Sequence, residues 1–300
     1  MNARRRLGSS EIMVRPIGLG AMPMSIQHRS TQAQSLRVIL AALDAGMDFI
    51  DTADVYCADD TDIGHNERLI GAALKEWKGG PVLVGTKGGF TRPNGAWHHD
   101  GRPEHLQRAC EQSLRALGVE RITLYQLHAP DPAVPFADSV GALAELQRAG
   151  KIQHLGLSNV SVRQIEAAVK LAPIVSVQNR CNFVDHSAWR QGVVQYCEQH
   201  GIAFVAYSPV GGGGTTYIAN DPCLNQVARR HQATPFQIAL AWLLARSPVI
   251  IPIPGASQVE TARSSAKAME IQLSADDMRQ LNAPLPAFCR RVKRFLASRF

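Results

Sequence analysis

Apolar runs of strand length recur along the chain, each ending in polar residues or glycine: RPIGLGAM, MDFIDTAD, PVLVGTKGG, ITLYQLHAP, IQHLGLSN, IVSVQN, IAFVAYSP and VIIPIPG. Between them lie stretches such as AQSLRVILAALDAG, PEHLQRACEQSLRALG, FADSVGALAELQRAG and PFQIALAWLLARS. Their apolar residues stand three and four apart, the spacing of one helix face. Several helical stretches end at glycine (Gly46, Gly118, Gly150, Gly201), as left-handed helix caps prefer. The runs end near residues 20, 51, 87, 128, 158, 178, 207 and 252, one about every 33 residues, the size of a strand-plus-helix unit. Apolar strands alternating with helices predict a parallel α/β sheet covered on both faces. Eight units in about 250 residues favour a closed (β/α)8 TIM barrel over an open sheet. Ahead of the first run, RRLGSSEIMVRP has a turn between two short extended pieces. An N-terminal β-hairpin closing the barrel floor is expected there. No linker divides the chain, so 1–300 reads as a single barrel domain with a tail at 290–300.

Composition sets limits without changing this picture. With 45% hydrophobic residues and a mean hydropathy of −0.10, the chain has ample core and no run near the ~18 apolar residues a membrane span needs. Its basic N-terminus lacks the apolar stretch of a secretory leader. The six cysteines (57, 110, 181, 197, 223, 289) are scattered, with no C-x-x-C pair. That speaks against a zinc site or a disulfide framework and suits a cytoplasmic protein. The net charge of +7 is confined to the ends. Arg4, Arg5 and Arg6 supply three charges and 290–300 five, which leaves −1 for the body. A solvated basic tail is expected, with no nucleic-acid partner and no membrane span. Oligomeric state is not written in the sequence.

In such barrels chemistry gathers at the C-terminal ends of the strands. There the second strand brings Asp51 and, five residues on, Tyr56; the third brings Lys87; the fourth brings His128. Each alone has a structural reading: helix cap, pocket wall, surface lysine, core histidine. Together, on strands ~5 Å apart, they form a pattern for proton donation by tyrosine. An ammonium beside a phenol favours the phenolate, and a carboxylate keeps the lysine charged and oriented. After the seventh strand comes YSPVGGGG. It is neither a G-x-G-x-x-G helix start nor a Walker loop, and reads as a floppy turn or as backbone approaching a phosphate.

The chain resembles the aldo-keto reductase family, in FIDTADVY, GTKGG, LYQLH, GKIQHLGLSN, SVQN, AYSP and IPIPGAS. The resemblance covers nearly its whole length. It implies a TIM barrel that binds extended NADP(H) at the strand ends and reduces aldehydes or ketones with hydride from nicotinamide. Its tetrad carries over onto Asp51, Tyr56, Lys87 and His128, with Tyr56 as proton donor tuned by Lys87. Ser158, Asn159 and Gln178 correspond to carboxamide-binding groups, and Tyr207 to the ring on the nicotinamide. Ser208 and the backbone from Val210 through Gly211 and Gly212 to Gly214 correspond to the pyrophosphate loop. Gly255, Ser257, Arg263 and Ser265 fall in the strand-eight region that holds the adenosine end. Met22, Val55, Phe90 and Trp97 are expected to line the pocket of a small carbonyl substrate.

The chain departs from the family pattern in places. Its strand-seven loop is short, as in pyridoxal-reductase-like members. Ser257 stands where an arginine grips the adenosine 2′-phosphate, and Ser264 and Ser265 stand at a Glu-Asn pair. Weaker discrimination against NAD(H) is therefore expected, with Arg263 as a substitute cation. Cys57 replaces a common glycine and reads as a core residue or a redox-sensitive thiol. Trp97, His98 and His99 read as pocket lining or loop surface. Two other functions share these residues: a non-catalytic cofactor-binding sensor subunit, and a Schiff-base aldolase using Lys87.

Overall fold

The computed structural model describes residues 4–27, 29–212 and 215–283. The basic tail, Cys289, Gly213 and Gly214 lie outside these residues. Strands Arg5–Arg6 (β1) and Met13–Val14 (β2) pair antiparallel around the GSS turn, as expected. The barrel then begins with Leu19–Gly20 (β3), Phe49–Asp51 (β4) and Leu83–Gly88 (β5). A second small hairpin, Phe90–Thr91 (β6) with His98–His99 (β7), interrupts it. Ile122–Leu127 (β8), Ile152–Ser158 (β9), Ile174–Arg180 (β10), Ala203–Tyr207 (β11) and Ile250–Ile253 (β12) follow. The eight barrel strands are parallel, each beside the next in sequence. The seam between β12 and β3 closes through Gly18 N–H to the Pro252 carbonyl (3.0 Å), Gly20 N–H to the Pro254 carbonyl (2.9 Å) and a Gly20–Gly255 bridge.

Helices cover the outside: Gln32–Asp44 (α1), His65–Glu76 (α2), Pro103–Leu117 (α3), Phe136–Arg148 (α4), Val162–Ala168 (α5), Ser187–Arg190 (α6), Val193–Gln199 (α7), Thr215–Asn220 (α8), Pro222–Arg230 (α9), Pro235–Arg246 (α10), Val259–Lys267 (α11) and Ala275–Asn282 (α12). Several start at side chains that accept from otherwise unpaired first-turn amides. Thr31 caps α1, and Ser161, Thr234 and Ser274 form capping boxes on α5, α10 and α12. Gly46, Gly118, Gly150 and Gly201 all take positive φ after their helices, as the sequence predicts. No described helix is long and apolar enough to cross a membrane.

Two large apolar cores result among the described residues. One fills the layer between strands and helices. The other fills the lower barrel, where Phe49, Leu124, Val205 and Ile251 meet Leu7 and Val14 from the hairpin. Arg5 fixes that hairpin: its guanidinium donates to the carbonyls of Leu244 (2.7 Å), Ser247 (2.8 Å) and Ile250. Leu244 lies in the last turn of α10, where carbonyls lack helical partners. With the floor plugged, polar chemistry is left to the other end of the barrel.

Candidate active site

The strand ends bring the four expected side chains together. β5 carries Lys87 into the barrel, where it is fully buried. Its Nζ donates to Asp51 Oδ2 at 2.7 Å, to the Thr52 carbonyl at 2.7 Å and to the Tyr56 hydroxyl at 3.1 Å. An ammonium has three protons, and these bonds use them all. Burial opposes the charge on Lys87. Even so, Asp51 and Tyr56 hold the amine above its ordinary value. The second Asp51 oxygen accepts from Gln178 Nε2 at 2.7 Å and Gln126 Nε2 at 3.4 Å.

Tyr56 is nearly buried. Burial raises its phenol above the ordinary value, while Lys87 pulls the other way. Burial wins, so the lowering expected from the ammonium alone is outweighed by desolvation. The phenol therefore keeps its proton at neutral pH. His128 follows β8, its amide bonded to the Gly88 carbonyl at 2.9 Å. Its ring stands edge-on to Tyr56, with centroids 5.7 Å apart. Burial, Lys87 and His99 push its pKa well below the usual histidine range, so the imidazole is neutral at physiological pH. Its Nδ1 is buried without a partner.

Around these groups, Phe90 and Trp97 complete an aromatic wall. Phe90 lies 4.8 Å from His128, and Trp97 lies 6.3 Å from Tyr56 and 6.1 Å from His128. The hairpin of β6 and β7 carries the wall, with His99 against Phe90 at 4.6 Å. Trp97 thus belongs to the mouth, while both histidines are exposed. Met22 is exposed at the rim of its 3₁₀ turn. Val55 does not match its expected role. It is fully buried against Ala53 and Tyr56 and offers a substrate no surface. Cys57 is buried too, and desolvation pushes its thiol up to about 12. A reactive thiolate needs a lowered value, so the core reading is the one the geometry supports.

On the other side of the mouth, Asn159 Nδ2 donates to the His128 carbonyl at 3.0 Å and to Ser158 Oγ at 3.1 Å. Its Oδ1 accepts from the Tyr207 hydroxyl at 2.8 Å. Gln178 departs from its expected place. Both its bonds run inward, to Asp51 and to Gln126 Oε1 at 3.3 Å, so it braces the acid of the tetrad. Asn159 and Ser208 sit in the left-handed backbone region (φ 58° and 49°). Such strain is costly, of order 1–3 kcal/mol, and clusters where ligands are clamped.

Past Ser208 the backbone stays unusual. Gly211 and Gly212 have φ of 92° and 53°, and Val210 is part-buried between Ser208 and this glycine pair. Successive residues of this kind turn amides toward an anion. Arg180, paired in register with Tyr207, has its guanidinium beside Gly212. Sequence reasoning missed it, although it lies two residues beyond Gln178 and so on the same strand face. This loop, with its adjacent cation, fits a phosphate-bearing group.

The strand-eight region divides. A side chain at Gly255 would lie 2.8 Å from the Pro23 ring, so glycine allows the close approach. The Ser257 carbonyl accepts from Ser30 Oγ at 3.5 Å, and Ser265 is half-buried on α11. Arg263 is exposed and shares a surface cavity of about 380 Å³ with Arg15, Asp44, Gly46, Lys267 and Glu270. Arg15 and Gly46 precede their strands, so this cavity opens toward the barrel floor, away from the strand ends. Its position does not suit the substitute-cation role.

Comparisons with known proteins agree on one family. Residues 16–285 match the model of the Aldo/keto reductase family. An uncharacterized oxidoreductase of Schizosaccharomyces pombe is 37% identical over 278 residues, covering 91% of this chain and 87% of its own. Among solved structures, a thermostable aldo-keto reductase in complex with the inhibitor epalrestat is 31% identical. Its TM-score is 0.81, with 93% and 98% of the two chains covered. An aldo/keto reductase from Klebsiella pneumoniae in complex with NADP and acetate is 26% identical. Its TM-score is 0.79, covering 93% of this chain and 94% of its own. The match spans nearly the whole barrel, tetrad positions included, and the chain belongs to the aldo/keto reductase family.

Proposed function

We propose that this protein reduces the carbonyl group of small aldehydes and ketones with NADP(H), Tyr56 donating the proton. The observation that carries this reading is the buried Asp51–Lys87–Tyr56 chain beside a neutral His128 at the open end of the barrel. Nicotinamide, when bound, supplies the hydride. The chain's own residues supply position and proton. Asp51, braced by Gln126 and Gln178, fixes Lys87. Lys87 fixes the Tyr56 oxygen by donating to it, so the phenol proton is free to point at a carbonyl oxygen. A neutral His128 has one N–H to orient that same oxygen, and Phe90 and Trp97 keep water from it. Ser158, Asn159 and Tyr207 are positioned to hold the nicotinamide end, and the Ser208–Gly212 backbone with Arg180 to hold phosphate. The NADP-bound relative from Klebsiella pneumoniae supports this choice of cofactor. A Schiff base on Lys87 has no support in the geometry. The amine must be neutral to attack a carbonyl, and Lys87 is held charged with all its protons engaged.

The test is Tyr56→Phe, assayed on a panel of aldehydes and ketones by loss of reduced-cofactor absorbance. General acid catalysis contributes ~10²–10⁴-fold, so the rate falls by that factor while cofactor binding, read by fluorescence titration, changes little. A variant that keeps more than about a tenth of the wild-type kcat overturns the assignment. A wild-type protein that binds cofactor but turns over no carbonyl compound points to a sensor subunit instead.

A further inference from the structure

Beside the aromatic wall lies a charge that the tetrad does not use. Arg92 follows β6 and is 1% exposed. Among the described residues only its Nη2 finds acceptors, the carbonyls of Cys57 and Ala58, each at 3.2 Å. Nε and Nη1 are buried without a partner. Among the described residues no carboxylate forms an ion pair with it. Asp59, on the neighbouring loop, acts on Arg92 only through space while its Oδ1 accepts from Thr61, and Asp62 pairs with Arg29 and Arg68. A buried guanidinium with no carboxylate in contact is unfavourable, and proteins rarely keep one so. Its cover is the Trp97 ring, 4.1 Å from Cζ. Trp97 is 44% exposed, the least anchored member of the wall, and its other side faces Tyr56 and His128.

We propose that Arg92 is the anchor for a carboxylate on the substrate, so that the protein prefers short-chain oxo acids, with the carbonyl at Tyr56 and the acid group beside Trp97. This rests on the reading of Tyr56 as the proton donor. A carboxylate oxygen can accept a charge-assisted bond from Nε–H or from Nη1–H, the two donors that the protein leaves open. Trp97 would move aside from the guanidinium and close over the aliphatic part of the substrate. The short separations, guanidinium to Trp97 and Trp97 to Tyr56, favour a short chain between the two groups.

The experiment compares ω-oxo acids of increasing length, from glyoxylate to adipic semialdehyde, each against its methyl ester. For at least one length the acid has a kcat/KM at least about tenfold above its ester, as a charge-assisted hydrogen bond implies. In Arg92→Met that ratio collapses through KM of the acid, while the ester changes little; Arg92→Lys restores part of it. Acids no better than esters in the wild type overturn the proposal without any variant. So does an Arg92→Met that slows acid and ester alike, which would reduce Arg92 to a strut for the Cys57–Ala58 backbone. Calorimetric titration with glutarate reads the site without turnover. If glutarate binds the wild type but not Arg92→Met, and no carbonyl is reduced, the anchor stands and the reductase reading falls. If neutral aldehydes are reduced and glutarate binds both proteins equally, the reductase reading stands and the anchor falls.

Discussion

At the scale of single residues, the site depends on where Lys87 spends its three protons. With Tyr56 as the proposed proton donor, reduction requires it protonated, so the basic limb of the pH–rate profile follows the phenol. Lys87 lowers that value against the larger effect of burial. Replacing Lys87 with Met removes the cation bonded to Tyr56, so the basic limb moves to higher pH. The rate falls about as far as in Tyr56→Phe, because the phenol loses the donor that orients it. A rate and profile unchanged from wild type would make Lys87 merely structural. A second expectation concerns Ser257. One neutral hydroxyl cannot grip a 2′-phosphate as a guanidinium does. Ser257→Arg raises the NADPH/NADH ratio of kcat/KM by roughly 10–150-fold, chiefly through KM for NADPH. Arg263→Ala leaves the ratio unchanged, since Arg263 faces the cavity toward the floor. Steady-state kinetics with both cofactors check the pair. The tetrad was legible because each member ends, or closely follows, an apolar run whose spacing gives away the strand. The inward turn of Gln178 toward Asp51 was not. It depends on three strands meeting in register, which no local pattern encodes. The burial of Val55 and of Arg92 was hidden for the same reason: loop residues carry no periodicity to say which way they face.

At the scale of elements, the longest periodic segments matched best. The barrel strands end at Gly20, Asp51, Gly88, Leu127, Ser158, Arg180, Tyr207 and Ile253, within two residues of the positions read from the apolar runs. The hairpin of β6 and β7 escaped notice although the turn residues PNG lie between its strands, as GSS lies between the equally short β1 and β2. Short helices such as α6 and α8 take their stability from neighbours and not from a repeating face. The first hairpin shows how an element of little intrinsic stability is held. Arg5 ties it to the end of α10 and the start of β12, and burial brings its pKa down only to about 10, so it is charged at neutral pH. Arg5→Met removes charge-assisted bonds worth about 1.5–3 kcal/mol each when measured singly. The denaturation midpoint in guanidinium chloride drops accordingly while kcat is retained, since the hairpin lies at the opposite end from Tyr56. A loss of kcat without loss of stability would contradict this division between floor and mouth.

At the scale of the whole molecule, stability carries a signature of buried acids behind the tetrad. Glu67 on α2 accepts from Thr86 Oγ1 at 2.6 Å, and its other oxygen is buried without a partner. Burial raises its pKa from 4.5 to about 7, against smaller pulls from Thr86, Ser113, Arg68 and Lys87. A carboxyl raised on folding keeps its proton in the native state where the unfolded chain has lost it. Its stabilising contribution is therefore full below pH 4.5 and falls away as the pH climbs to about 7. The fall is about 3 kcal/mol. Asp54, raised by burial and by Glu67, adds in the same direction. Unfolding free energies measured across that window should decline with pH in the wild type and decline much less in Glu67→Gln. Equal slopes in the two proteins would show that Glu67 is ionised throughout.

The seam of the barrel has a direction. In a strand, the N–H and C=O of one residue point the same way, and β12 turns Pro252 and Pro254 toward β3. Proline has no amide proton, so across this line Gly18 and Gly20 give and receive nothing back from those two positions. The other joints pair strand with strand over two or more residues, whereas this one rests on a single bridge and the amides of Gly18 and Gly20. It also joins segments more than two hundred residues apart, which loop closure makes slow to bring together. The ring is thus expected to close last there on folding and to part first there under stress, directly beneath the loop that carries Ser257.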